Sequence, residues 1–198
     1  MQNDLTLLNA ARKMDKDALV KIFDLYASPL YNFALRLCGD PSTADHIVGD
    51  VFTRLLDQLS AGKGPTSNLR SYLYESAYHR FVDETRAARR TAPLEALTSL
   101  RQDVRAGALH MEDWVLFESV LDAIQRDLTA DQRHVILLRF LEGCSLLETA
   151  AILGKEINHI KVIQTRAIAK LRQVFEAREV RAAMALPRIE ERSPALRI

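Results

Sequence analysis

The residues best suited to chemistry lie between Ser145 and Gln173, where small, apolar and basic side chains recur at fixed spacing. Ala150, Gly154 and Ile160 follow the order of a helix-turn-helix: a small residue where two helices touch, a glycine at a left-handed turn and an apolar anchor in the second helix. Five of the six charged residues from 155 to 172 are basic. The chemistry predicted here is the binding of DNA phosphates and base edges.

The second helix of this motif is predicted to begin near Asn158 and to turn one face toward a major groove. Two capping boxes, Thr129 to Gln132 and Ser145 to Glu148, predict the starts of the short helices before it. A plain helical hairpin with a solvated basic face is the alternative. The side chains predicted to face DNA are Asn158, His159, Lys161, Val162, Thr165, Arg166 and Lys170.

The net charge of the chain is only +1, from 27 basic and 26 acidic residues. It is small because basic and acidic patches in different segments cancel in the sum. Between residues 44 and 58, Asp45, Asp50 and Asp57 outnumber Arg54. One surface therefore suits phosphate and another suits a basic protein partner. Asp50 and Arg54 also have the spacing of an ordinary i,i+4 ion pair, which would stabilise a helix by only a few tenths of a kcal/mol.

The elements that must position these residues are predicted to be helices. Hydrophobic residues make up 48% of the chain, and only 7 glycines and 6 prolines leave little room for a turn-rich sheet protein. Helical periodicity runs from Leu19 to Leu37, where Pro29 is predicted to start a second helix, and again over 41–59, 69–90 and from Trp114 onward. The expected fold is all-α, with two small helical domains joined by a flexible linker.

The predicted boundaries are 1–90 for the first domain, 91–113 for the linker, 114–175 for the second domain and 176–198 for a C-terminal tail that is expected to be disordered beyond one helical continuation. The linker prediction follows from weak periodicity with one proline and one glycine.

Several function classes have little support in the sequence. The five histidines form no HExxH motif, and no nucleophile elbow or phosphate-binding glycine loop is present, so no catalysis, metal or cofactor is expected. Cys38 and Cys144 are predicted to be buried, reduced thiols. Without a signal-peptide block or an apolar run of roughly 18 residues, the chain is expected to be cytoplasmic and not inserted in a membrane.

Two blocks of the sequence resemble two conserved regions of a known family, and they follow each other in the family's order. Residues 128 to 172 look like region 4 of a bacterial sigma factor of the extracytoplasmic-function (ECF) group. Residues 23 to 59, which begin "FDLYASPLYNFALRL", resemble regions 2.1 and 2.2, and "LRSYLYESAYHRFVDETRAARR", residues 69 to 90, resembles regions 2.3 and 2.4. Two blocks in the right order are far more specific than either alone.

The resemblance implies a promoter-specificity subunit of RNA polymerase without catalysis of its own. Its partners would be the clamp of the largest polymerase subunit, promoter DNA and, in many members, an anti-sigma protein. The implied clamp-binding residues are Asp45, Asp50, Phe52 and Arg54. The residues implied to open and hold the minus-10 element are Tyr74, Tyr78, His79, Arg80, Arg86, Arg89 and Arg90, with Tyr78 and His79 nearest the bases and Tyr72 and Phe81 mainly in packing. The seven DNA-facing residues after position 157 would read the minus-35 element.

The chain also departs from the family pattern. His79 stands where an asparagine is usual, Glu156 replaces the serine that caps the recognition helix, and Val162-Ile163 replaces a Ser-Arg pair. That apolar pair could read thymine methyls or bind a regulatory protein. The alternative function is a stand-alone helix-turn-helix regulator with a sensing or dimerising N-terminal half, which would bind an operator without polymerase.

Overall fold

The computed structural model describes residues 2–91 and 111–185, with side chains described within 5–87 and 117–178. In these ranges the chain is all-α, as predicted. The helices are α1 (Gln2–Ala11), α2 (Lys16–Cys38), α3 (Pro41–Ser60), α4 (Leu69–Thr91), α5 (Met111–Asp127), α6 (Ala130–Ile136), α7 (Leu146–Leu153) and α8 (Ile157–Ala185), with a π-helical turn at Leu137–Leu141 after α6. We call α1–α4 the N-terminal block and α5–α8 the C-terminal block.

Helix starts follow the local signals in the sequence. Asp40 caps α3, where its Oδ2 accepts from the Thr43 amide at 2.8 Å and Pro41 occupies the first turn. Both predicted capping boxes are present, at Thr129 and Ser145. The left-handed backbone at Gly154, with φ 60° and ψ 38°, ends α7 as the helix-turn-helix prediction requires.

The prediction of a second helix at Pro29 is wrong, because α2 continues through that residue. Pro29 cannot donate to the carbonyl of Leu25, but both residues are exposed, so water can satisfy that carbonyl. Downstream, Leu30 and Phe33 are fully buried. The burial of these side chains offsets the lost hydrogen bond.

The helices nearest the two ends of the described residues are each held by a side-chain contact. Helix α1 buries Leu8 and Ala11, and Arg12 after it donates to the Pro65 carbonyl at 3.0 Å, which ties α1 to the loop between α3 and α4. Helix α8 extends to Ala185, which confirms the predicted helical continuation beyond residue 175. Arg178 explains part of this extension, since it donates to Ser119 Oγ of α5 at 3.1 Å. Residues 186–198 and 92–110, the tail's end and most of the predicted linker, lie outside the described residues.

The two blocks contact each other. Helix α4 packs against α7, and buried residues from both blocks form one continuous apolar cluster. In the N-terminal block this cluster is formed mainly by α2, α3 and α4, and in the C-terminal block by α6, the π-helical turn, α7 and α8. The assignment of two separate domains stays a prediction.

Two glycines provide an internally matched stability test. Gly154→Ala should lower the free energy of unfolding by about 1–2 kcal/mol, since a β-carbon is disfavoured in left-handed backbone. Gly49→Ala, in the middle of α3 with no atom within 4 Å of the added carbon, should raise it by about 0.5–1 kcal/mol. Urea unfolding followed by circular dichroism measures both, and equal shifts of the same sign would contradict the assignment of the turn.

Candidate nucleic-acid interface

The outer face of α8 is the first candidate surface for DNA. All seven residues predicted to face a major groove are exposed, whereas Ile160, Ile163 and Ala167 are buried on the opposite side. Ala150 of α7 is also buried, in the place expected for the small residue between the two helices. The alternation of exposed and buried positions therefore orients the helix as predicted.

The Val162-Ile163 pair does not act as one apolar unit. Val162 is 45% exposed, but Ile163 is 7% exposed and belongs to the core. Only Val162 is therefore available to a thymine methyl or to a protein partner. An arginine at position 163 would have to leave the core to reach a phosphate, so the isoleucine fits this packing better.

Among the described side chains of α8, Arg178 pairs with Asp122 at 3.4 Å, whereas Lys161, Arg166 and Lys170 have no acidic partner within ion-pair distance. Arg166 and Lys170 border an open groove whose other wall contains Asp127 at the end of α5 and Thr129 and Gln132 at the start of α6. Lys155, in the turn before α8, is paired, because its Nζ lies 3.0 Å from Asp131 Oδ2. The groove thus places two cations of α8 beside the first turn of α6, an arrangement suited to a phosphate backbone.

Helix α4 carries the aromatic candidates, and the structure buries one of them. Tyr74 is 2% exposed, its ring centroid lies 5.1 Å from that of Phe33, and the Arg70 guanidinium lies 5.2 Å from the ring. Its hydroxyl donates to Glu142 Oε2 of the C-terminal block at 2.7 Å, and burial raises the Tyr74 pKa. In this conformation Tyr74 has no free face for a base.

Tyr78 is half-buried and also meets the C-terminal block. Its ring is edge-on to His134 of α6 at a centroid distance of 5.3 Å, and its hydroxyl lies 3.4 Å from His134 Nδ1. Phe81 is edge-on to the same imidazole at 5.7 Å. Burial, with a smaller contribution from the Arg133 charge, lowers the pKa of His134 to about 4, so the imidazole is neutral between the two rings.

The polar candidates of α4 have different surroundings. His79 and Arg86 are exposed. Arg80 instead lies in a charged cluster, with its Nε 2.6 Å from Asp50 Oδ2 and its Nη2 3.0 Å from Glu84 Oε1. The side chains of Arg89 and Arg90, also predicted to hold the minus-10 strand, lie outside the described residues.

The acidic face of α3 is the third candidate surface. Asp45 and Arg54 are exposed, whereas Asp50 pairs with Arg80 of α4 rather than with Arg54. Phe52 is 9% exposed, and its ring packs at 4.9 Å against Phe23 of α2.

Sequence reasoning missed Phe23, which is 51% exposed beside the acidic face of α3. Val20 and Leu56, also exposed on α2 and α3, add apolar surface to these two helices. Phe23 and Leu56 fall within the helical apolar periodicity of residues 19–37 and 41–59, which is typical of buried positions, and no sequence signal showed that they remain uncovered.

Glu142 is a second residue that the sequence did not identify. The π-helical turn, closed by the Glu142 amide donating to the Leu137 carbonyl at 2.9 Å, ends at this residue. The carboxylate accepts from Tyr74 and from Arg36 Nη1 of α2, the latter at 2.8 Å. Glu148 of α7 makes a weaker contact, accepting from Ser71 Oγ at 3.0 Å. Asn68 Nδ2 also donates to Glu148, at 3.3 Å. We call the two carboxylates and their four side-chain partners, Tyr74, Arg36, Ser71 and Asn68, the block contact.

Within the described residues, no group of three or more histidine, cysteine or acidic side chains is placed to hold a metal ion. Cys38 and Cys144 are free thiols, and burial raises the pKa of each. None of the helices in the described ranges has both the length and the apolar character to cross a membrane.

Comparison with known proteins matches each block to one region of a family. Residues 22–91 match the family model for sigma-70 region 2, and residues 126–173 match that for sigma-70, region 4. The chain is 30% identical over 160 residues to the ECF RNA polymerase sigma factor SigX of Bacillus subtilis, covering 78% of this chain and 82% of SigX. It is 28% identical over 175 residues to the ECF RNA polymerase sigma factor BldN of Streptomyces coelicolor, covering 86% of this chain but only 65% of BldN.

Two solved structures share the fold. One is CnrH in complex with the cytosolic domain of CnrY, with a TM-score of 0.64, 21% identity, and coverage of 88% of this chain and 97% of that one. The other is the sigma factor RpoE with the anti-sigma factor NepR from Bartonella quintana, with a TM-score of 0.63, 24% identity, and coverage of 79% and 95%.

The buried imidazole predicts a pH-dependent stability. Because the pKa of His134 falls from 6.5 to about 4 in the folded chain, the unfolded chain binds the proton first as the pH drops. The neutral, buried His134 therefore contributes to stability fully above about pH 6.5. As the pH falls toward 4 this contribution is lost, and the free energy of unfolding decreases by roughly 3 kcal/mol. Urea unfolding at several pH values between 7.5 and about 4 should show this slope of the free energy of unfolding against pH.

His134→Gln should remove this part of the slope, whereas His159→Gln, which changes an exposed histidine on α8, should leave it unchanged. Equal slopes in wild type and His134→Gln would show that the imidazole is not buried as a neutral group.

Proposed function

Because the chain belongs to the ECF group of the sigma-70 family, we propose that it is a sigma factor that binds core RNA polymerase and directs initiation at specific promoters. The observation that carries this proposal is the match of both sigma-70 regions, in order, on a chain whose α8 presents an exposed basic face. The polymerase would supply the phosphodiester chemistry, so the chain needs no catalytic group of its own. It would act in the cytoplasm, with the polymerase.

Reading of the minus-35 element is assigned to α8. Lys161, Arg166 and Lys170 would neutralise phosphates, and the groove beside α6 brings two of these cations to the same edge. The polar residues Asn158, His159 and Thr165 would contact base edges, with Val162 against a thymine methyl. Their common exposure on one side of α8 supports this assignment.

Opening of the minus-10 element is assigned to α4. Stacking an unpaired base on an aromatic ring contributes about 1–3 kcal/mol, comparable to the cost of separating one base-pair step. Tyr78 and His79 are the proposed stacking and hydrogen-bonding groups, while Arg80, Arg86, Arg89 and Arg90 would hold phosphates. Tyr74 is assigned to packing, since its ring and hydroxyl are both engaged in the interior.

Docking on the clamp of the largest polymerase subunit is assigned to the outer face of α2 and α3. Asp45 and Arg54 offer exposed charges, and Asp50 sits at the edge of this face in its pair with Arg80. Phe52 would act through Phe23, whose exposed ring it supports at 4.9 Å. An acidic surface with an apolar centre suits a basic partner, because the charges orient the encounter and the apolar groups supply affinity.

An anti-sigma protein is a further proposed partner. One structural neighbour is RpoE in complex with the anti-sigma factor NepR, and another is CnrH in complex with the cytosolic domain of CnrY. The exposed apolar residues Val20, Phe23 and Leu56 would give such a partner, or the polymerase, a surface to cover.

Run-off transcription with purified core polymerase on genomic fragments tests the function. The chain should give discrete transcripts, and Asp45→Lys should weaken core binding by about tenfold or more, because it places like charge against a basic clamp. Glu118→Gln, which changes an exposed acid on α5, is the matched control and should bind like wild type. Footprinting of a palindrome by the chain alone, with no association with core polymerase at low salt, would instead support the stand-alone regulator.

The assignment of α8 predicts different effects for phosphate and base contacts. In holoenzyme binding to a promoter found by run-off transcription, Arg166→Ala should reduce the slope of log affinity against log salt by about 1 for all sequences. Asn158→Ala should instead relax discrimination at one base pair of the minus-35 element, by about 1–3 kcal/mol. Arg126→Ala, an exposed arginine of α5 paired with Asp122, is the control and should change neither quantity.

A further inference from the structure

The block contact is centred on a buried carboxylate whose side-chain partners both come from the other block. Glu142 is 8% exposed, and it accepts from Arg36 at 2.8 Å and from Tyr74 at 2.7 Å. The same region is reinforced by Gln125 Nε2 of α5, which donates to the Arg36 carbonyl at 2.9 Å. No hydrogen bond from a side chain of its own block to the Glu142 carboxylate is found among the described residues.

The contact covers one side of α4. Tyr74 faces Glu142, Tyr78 and Phe81 face His134, and Ser71 faces Glu148. These four positions span almost three turns of the helix to which opening of the minus-10 element is assigned. By contrast, the exposed face of α8 and the charges of Asp45 and Arg54 remain accessible in the same conformation.

We propose that the free protein holds itself closed through this contact, with Glu142 as the latch that keeps the C-terminal block over the aromatic face of α4. The inference rests on the proposed function for its biological meaning, but the closed contact itself does not depend on it. In the closed form the chain can meet the polymerase through α3 and duplex DNA through α8. It cannot offer Tyr78 to an unpaired base until the blocks separate.

The chemistry of the contact suits a switch rather than a permanent core. The attraction within a buried ion pair about balances the loss of hydration of its two charges, so separation into water costs little net free energy. Arg36 Nε has no hydrogen-bond partner among the described residues, which adds a cost to the closed form that water would remove. Glu148 keeps its capping bonds to Ser145 when the blocks part, so α7 does not lose its start.

Removing one partner of the latch should open the contact, because a buried charge would then face no counter-charge. Glu142→Lys sets a cation against Arg36, and Arg36→Glu sets a carboxylate against Glu142. The two changes together restore opposite charges at the same positions. A contact that holds the blocks closed is therefore broken by either single reversal and restored by the double one.

Hydroxyl-radical footprinting of the free full-length chain, read by mass spectrometry, measures this directly. In Glu142→Lys and in Arg36→Glu, oxidation of Tyr74 and Tyr78 should rise by about tenfold or more. In the Arg36→Glu, Glu142→Lys double variant it should return to within about twofold of wild type. Tyr31, in the N-terminal block away from the contact, is the internal reference and should be unchanged throughout.

A rise at Tyr31 as well would signal loss of the fold in that variant. In that case Tyr74→Phe decides, since it keeps the ring in the core and removes only the hydroxyl donated to Glu142. It should increase oxidation of Tyr78, whereas Tyr72→Phe on the same helix should not. The proposal is overturned if Tyr78 in the free wild type is already as reactive as in denaturant, or if Tyr78 reactivity is unmoved by a folded latch variant.

Transcription separates this proposal from the proposed function. If the chain is a sigma factor, Glu142→Lys should give holoenzyme that still initiates, while the free variant binds single-stranded oligothymidylate at low salt several-fold more tightly than wild type. If no polymerase binding is found but the footprints follow the charge reversal, the latch stands and the proposed function fails. If the holoenzyme is active but the footprints do not change on charge reversal, the proposed function stands and the latch fails.

Discussion

A carboxylate buried between two helical blocks is the constraint on which the described arrangement depends. Glu142 is placed at the contact by the π-helical turn, and among the described side chains its carboxylate is bound by Arg36 of α2 and Tyr74 of α4. Because an uncompensated charge in the interior costs several kcal/mol, the blocks must either stay together or expose this group to water. The contact therefore has two favourable states, one with the carboxylate paired between the blocks and one with it in water. An intermediate position would leave the charge neither paired nor hydrated.

The same contact decides which surfaces can act first. The faces of α3 and α8 are turned outward, while the aromatic side of α4 is covered. A promoter-opening subunit gains from this order, since a stacking surface for single-stranded DNA has a use only after a duplex has been found and held. Arg80 lies at a junction between surfaces, because its pair with Asp50 connects α4, to which DNA binding is assigned, with α3, to which polymerase binding is assigned.

Local chemistry explains the parts of the fold that were predicted correctly. The capping boxes at Thr129 and Ser145 and the left-handed glycine at 154 each depend on residues three or four apart, so the sequence contains the whole interaction. Periodicity likewise identified the exposed and buried sides of α8 with the exception of Ile163, where family analogy suggested a surface position. Pro29 was misjudged because the continuation of α2 depends on burial of Leu30 and Phe33 against other helices.

The sequence by itself determined the family, the all-α class and the exposed basic face of α8, because these follow from helical period, capping and motif order. Only the tertiary structure decided that Tyr74 is an interior residue, that Asp50 pairs with Arg80 rather than Arg54, and that Phe23 is uncovered. It alone revealed Glu142, which in sequence is one acid among 26. The physical reason is that a charge or a ring acquires its role from the groups across a contact, and those groups lie 68 and 106 residues away.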